Sequence, residues 1–307
     1  MGPPGDAPDA LVLGAGGILG EAWMSALLAG LADARLFDPR SCGHFLGTSA
    51  GSIVAASLAA GYDPRERLGE LPEQPQVGPD EGAGGSLPLR LAASLGAAVS
   101  GPLAPAVLRS AAPGGRLLRR AALRRVPPGR RSLNGLVRVI AESGAKWDDG
   151  LWIATVEVES GSRVLFGGRG EDRVPVADAV AASCAIPGVF RPIRAGGRTY
   201  LDGGVWSLTN LDALPAAAGE RILCLNPTGS ARPRPRDPLG AIGPWSRSMA
   251  ALEASVQRRR GARVELISPD SASAAAMGPN LMEARRRDQV LAAGLAQGRR
   301  GGGGPSR

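Results

Sequence analysis

The chain has 307 residues, of which 44% are apolar, 21% charged and 4% aromatic, and its formal net charge is +8. That length can bury one large core or two small ones, and no apolar run nears the roughly 18 residues that span a bilayer. Met1-Gly2-Pro3-Pro4-Gly5-Asp6 has neither the basic start nor the apolar stretch of a secretory signal, and Asp6 stands where myristoylation wants Ser or Thr. An integral membrane protein and an exported one are both disfavoured. The expected location is cytoplasmic, with peripheral attachment at the inner membrane surface as its variant.

After a leader over 1–9, expected to be flexible, Ala10-Leu11-Val12-Leu13 is a short apolar run that stops at Gly14, as a buried strand does at a turn. Glu21 to Ala34 reads as a helix, with Trp23, Leu27, Leu28 and Leu31 at helical spacing. His44-Phe45-Leu46 is a second strand ending at Gly47, and Ser52 to Ala60 a second helix closed by Gly61. Strand, glycine turn, helix, repeated twice, is the alternation of a parallel α/β sheet. From 63 to 131 the pattern degrades into an expected insertion. It has a Pro/Gly-rich loop over 72–88 and two amphipathic segments, 89–99 and 103–126. The second carries Arg109, Arg116, Arg119, Arg120, Arg124 and Arg125. It reads as a helical hairpin packed on the main domain, or as a basic lid or membrane-surface helix.

Order returns at Leu151 to Val158, a strand, with Arg163 to Phe166 pairing back across Ser160-Gly161. A short helix follows over Val176 to Ser183, then a strand at Thr199-Tyr200-Leu201 that runs into Asp202-Gly203-Gly204. Ile222 to Leu225 and Val264 to Ile267 read as strands on either side of an Arg-rich helix over Met249 to Arg260. The Gly/Arg/Pro/Ser tail over 298–307 is expected to be disordered. No internal repeat is present.

Chemistry is narrowed first by scarcity. Cys42, Cys184 and Cys224 are odd in number and far apart, and His44 is the single histidine, so a disulfide framework and a Cys/His zinc site are both unexpected. Only Lys146 among the 36 basic residues is lysine. The positive balance reads first as compositional bias and second as attraction to anionic surfaces. With so few aromatic residues and no nucleic-acid motif, nucleic acid is not expected as a partner, and anionic lipid is the better candidate.

Gly47-Thr48-Ser49-Ala50-Gly51 matches G-x-S-x-G with a strand before it and a helix after it, the setting that strains the turn and exposes the serine. Gly14-Ala15-Gly16-Gly17-Ile18-Leu19-Gly20 is a second strand-to-helix turn, whose bare backbone N–H groups suit an anion. A nucleotide phosphate is one candidate. However, Leu19-Gly20-Glu21 lacks the Walker ending, and Leu19 occupies the third glycine of the dinucleotide spacing. A tetrahedral oxyanion is the other, favoured by the serine on the next strand. His44 lies upstream of Ser49 and reads as a packed histidine, so counting excludes a Ser-His-Asp triad. Asp202, at a strand end before Gly203-Gly204, can supply the base directly.

Together these three pieces resemble the patatin-like phospholipases, which combine a glycine-rich oxyanion loop, a GxSxG elbow and an Asp-Gly-Gly motif in a Ser-Asp dyad without histidine. Ala181-Ala182-Ser183-Cys184-Ala185-Ile186-Pro187-Gly188-Val189-Phe190 and Asn210 add to the likeness, which covers roughly 10–214 and weakens around Ser268-Pro269-Asp270 and Gly278-Pro279-Asn280. The resemblance implies a three-layer α/β/α fold with a mainly parallel central sheet, a catalytic domain over 10–214 and a continuation of it over 215–297. It implies Ser49 and Asp202 as the catalytic pair, Ala15, Gly16 and Gly17 as the oxyanion loop, Gly47 and Gly51 as the elbow glycines, and no metal or cofactor. The implied activity is hydrolysis of lipid carboxylic esters. A general carboxylesterase for small soluble esters, a non-catalytic lipid-binding relative and a nucleotide-binding protein are the alternatives. Two departures stand out: Leu19 where the family usually has Arg or Lys, and Ala15 where it commonly has glycine.

Overall fold

In the computed structural model, the described residues are 7–69, 129–168, 174–230 and 242–302, with 120, 123, 125 and 127 between them. The expected loop over 72–88, the segment 89–99 and most of 103–126, including Arg109, Arg116, Arg119 and Arg124, lie outside them. Eight strands among the described residues form one sheet. In chain order they are β1 (Ala10–Leu13), β2 (His44–Thr48), β3 (Leu151–Glu157), β4 (Arg163–Gly167), β5 (Ile193–Ala195), β6 (Arg198–Asp202), β7 (Arg221–Leu225) and β8 (Arg263–Ile267). The spatial order is β5-β6-β3-β2-β1-β7-β8, with β4 also on β3. The β3-β2-β1-β7-β8 run is parallel, while β4, β5 and β6 join antiparallel.

The central strand β1 is apolar on every residue, and β7 is apolar from Ile222 to Leu225, because helices cover both faces of the sheet. Successive side chains of a strand point to opposite faces. Leu11 and Leu13 of β1 accordingly enter the core shared with α1 (Gly17–Asp33), α2 (Ala50–Ala59) and the later helix Val176–Ser183. Ala10 and Val12 enter a second core with Leu46, Ile222, Cys224 and Ala254. The result is the expected α/β/α sandwich around a mainly parallel sheet. In order, the other helices are α3 (Glu66–Gly69), α4 (Asn134–Glu142), α5 (Val176–Ser183), α6 (Ile242–Arg259), α7 (Ser271–Met277) and α8 (Arg287–Arg299).

Several boundaries differ from the expectation, and the Arg-rich helix begins at Ile242 rather than Met249. Helix α1 begins at Gly17 rather than Glu21, so the glycine-rich loop is itself the start of the helix. The expected leader is placed from Ala7, where Arg221 donates to the Ala7 carbonyl and the Arg221 N–H donates to Asp9 at 2.7 Å. The expected disordered tail starts too early at 298, because α8 continues to Arg299. Gln297 holds this end: it accepts from Trp23 Nε1 at 2.9 Å and donates to the Ser268 and Gly302 carbonyls, each at 2.9 Å.

Candidate active site

Strand β3 has two edges. Strand β4 takes one along residues 152–156, so β2 and β6 must share the other: β2 pairs with 151–154 and β6 with 155–157. Thr48, the last residue of β2, is opposite Ala154, and Asp202, the last of β6, is opposite the next residue, Thr155. The two strand ends therefore abut, and the residues leaving them are Ser49 and the Gly203-Gly204 turn.

Ser49 has φ 52° and ψ −123°, a left-handed backbone that L-residues rarely adopt. Strain of this kind costs of order 1–3 kcal/mol and persists only when the surroundings enforce it. Here they do. The Ser49 N–H donates to Ser183 Oγ at 2.8 Å, Ser183 Oγ donates to the Ala154 carbonyl at 2.7 Å, and Ser52 Oγ donates to the Ser49 carbonyl at 2.6 Å. A Cβ on Gly51 would lie 1.9 Å from the Leu13 carbonyl oxygen, so only glycine lets the elbow helix approach the end of β1.

Asp202 is 5% exposed and accepts a hydrogen bond from the Gly204 N–H at 2.7 Å. Burial pushes its carboxyl up to about 7, against the hydrogen bonds from Gly204 and from the Ser49 side chain, which favour the charged form. The aspartate turn reaches the glycine-rich loop as well: a Cβ on Gly204 would sit 3.7 Å from Ala15 Cβ. Serine, carboxylate and loop are thus brought to one place at the C-terminal ends of β1 and β2.

Within the loop, the N–H groups divide into two kinds. Gly14 donates to Leu225 O at 3.0 Å, Ala15 to Leu208 O at 2.7 Å and Leu19 to Leu281 O at 2.9 Å. Those of Gly16 and Gly17 have no acceptor among the described residues. Gly17 has φ 60° and opens α1, whose N-terminal end favours negative charge. The expectation for Ala15 is therefore corrected: its N–H is spent fixing the loop and is not free for a substrate. Leu19 is fully buried in the core, so the position where the family usually carries a cation holds a packed apolar side chain in this chain.

His44 begins β2, and four residues of extended chain, roughly 13 Å, separate it from Thr48 at the site end. It stays out of the site, as expected. Two other residues join it. Ser183 is the relay behind Ser49. Asn210, fully buried with φ 52°, donates from Nδ2 to Thr48 Oγ1 at 3.1 Å, Gly203 O at 3.3 Å and Ser207 O at 2.7 Å, tying the elbow strand to the aspartate turn. No group of three or more His, Cys, Asp or Glu side chains suited to a metal occurs among the described residues.

The model of the patatin family, described as patatin-like phospholipase, matches residues 90–215, a stretch that contains Asp202 and Asn210 and begins after Ser49. No curated protein matches the chain. Among solved structures, VipD from Legionella pneumophila is similar over 96% of this chain and 66% of its own, with 16% identity and a TM-score of 0.45. The type III effector protein ExoU is similar over 96% of this chain and 54% of its own, with 17% identity and a TM-score of 0.33. The chain spans less than two thirds of the length of either. Over residues 90–215 it is similar to the patatin-like phospholipases.

Proposed function

We propose that the chain is a serine acyl hydrolase that cleaves carboxylic ester bonds of lipids through Ser49 and Asp202. The observation that carries this reading is the strained, buried serine at a strand end that abuts the buried Asp202 carboxylate, beside two unclaimed glycine N–H groups and away from the only histidine. Ser49 Oγ attacks the ester carbonyl as its proton passes to Asp202. The oxyanion is held by the Gly16 and Gly17 N–H groups; such a donor is worth about 2.7–4 kcal/mol where it has been measured. Asp202 then protonates the leaving alkoxide. In the second half it takes a proton from water, whose oxygen attacks the acyl-enzyme, and it returns that proton to Ser49 Oγ as the acid leaves.

The family match supports lipid over other esters, and the +8 charge supports peripheral contact with an anionic membrane. The test is hydrolysis of phospholipid vesicles against a short soluble p-nitrophenyl ester, for wild type and Ser49→Ala. Release of fatty acid from vesicles by wild type alone is the expected result. Turnover of the soluble ester only would make it a general carboxylesterase. Vesicle binding with no turnover of either would make it a lipid-binding relative.

A further inference from the structure

Behind the aspartate turn, the stretch 207–214 supports both halves of the site: the Leu208 carbonyl takes the Ala15 N–H, and Asn210 joins Thr48 to Gly203. Helix α6 grips this stretch with two side chains that the hydrolase chemistry does not use. Glu253 Oε2 accepts from the Leu211 N–H at 2.9 Å and from the Thr209 hydroxyl. Gln257 Nε2 donates to the carbonyls of Leu211 at 2.7 Å and Leu214 at 2.8 Å. Both residues are fully buried.

Counting donors against acceptors leaves two atoms over. Glu253 Oε1 and Gln257 Oε1 are buried oxygens with no hydrogen-bond partner among the described residues. The Gln257 amide cannot be turned round, because both carbonyls need its NH2 group. Residues four apart on a helix are neighbours on one face. One proton on Glu253 supplies what both oxygens lack, whereas an ionised Glu253 would leave the buried Gln257 Oε1 without a donor.

We propose that Glu253 is carried as the neutral carboxylic acid, its Oε1–H donated to Gln257 Oε1, and is a positioning residue that clamps 207–214 behind the active site. Its surroundings agree. Desolvation is the largest influence, the Asp212 charge adds to it, and the carboxyl rises to about 7. The Ser207 and Thr209 hydroxyls and Arg163 favour the charged form. Arg163 is committed to Asp212, at 2.6 Å and 3.0 Å. On the β7 side the facing group is the Cys224 thiol, pushed up by burial and therefore neutral. The clamp's bearing on turnover rests on the acyl-hydrolase reading; the placement of the proton does not.

The sign follows from linkage. A carboxyl raised in the folded chain stabilises fully below its ordinary value of 4.5, and that contribution is lost as pH rises through about 7. Infrared spectra of Asp202→Asn, chosen to silence the other raised carboxyl among the described residues, should show a protonated carboxyl band at pH 6 that fades through pH 7. The band should be absent in Asp202→Asn with Glu253→Gln. Between pH 4.5 and 7.5, wild type should lose on the order of 5 °C of Tm relative to Glu253→Gln, whose amide donates where the acid did. No band at pH 6, parallel Tm profiles, or a Glu253→Gln chain that fails to fold would each overturn the proposal. None of these readouts involves turnover, so the clamp and the hydrolase reading fail separately.

Discussion

Ser49 and Asp202 are opposite cases of one rule: a side chain at a reactive position is costly to hold, and its neighbours hold it. Ser49 stores backbone strain, while Asp202 stores the unfavourable burial of a carboxylate. The second makes a prediction. Asp202 must be ionised to take the Ser49 proton, so kcat/KM should fall about tenfold per pH unit below about 7 and level off above it. A pH–rate profile on a soluble ester checks this, and a flat profile from pH 5 to 8 would contradict it. Leu19 makes another. Because it is fully buried, Leu19→Arg should add no stabilising charge to the oxyanion. It should instead bury an unpaired cation, losing more than about 3 kcal/mol, visible as a large drop in Tm or loss of soluble protein. Spacing, read together with the family resemblance, picked out Ser49, Asp202 and the glycines as candidates in the sequence, since elbow and loop demand specific residue types. It could not show which loop N–H groups are free, because the partner of Ala15, the Leu208 carbonyl, is a backbone atom far along the chain.

At the scale of elements, the site depends on β3 being longer than β2, which leaves its C-terminal half for β6 and brings two strand ends together. The α5 terminus completes the arrangement by placing Ser183 between Ser49 and Ala154. Ser183→Ala should leave a buried N–H and a buried carbonyl unpaired, costing about 1–3 kcal/mol of stability. Because Ser183 acts through Ser49, kcat should fall while KM holds. Steady-state kinetics on the folded variant separates the two, and a raised KM with unchanged kcat would contradict the role. Elements with clean apolar patterns, such as β1, β3, β7 and α5, were legible from sequence. Others were not. The strand β5 is three residues long, and α8 mixes Gly294, Gly298 and arginines because it packs closely on α1 and is fixed by Gln297. Helix α1 begins four residues before the expected Glu21, because the glycine-rich stretch forms its first turn and Leu19, four residues before Trp23, already belongs to its buried face.

Across the described residues, helices on both faces bury the sheet, and the proposed site lies at the strand ends, the general arrangement of open α/β sheets. No helix among the described residues is long and apolar enough to cross a membrane. The net charge of +8 gives the proposed contact with an anionic lipid surface its sign. Hydrolysis of anionic vesicles should weaken as salt rises from about 0.05 to 0.5 M, while turnover of a neutral soluble ester should barely change. Equal salt dependence for both substrates would contradict a membrane contribution. The central claim, that Ser49 is a nucleophile activated by Asp202, is tested most directly by labelling with a fluorescent fluorophosphonate. Wild type should label, and folded Ser49→Ala and Asp202→Asn should not. A folded wild-type chain that stays unlabelled, or labelling that survives Ser49→Ala, would contradict it.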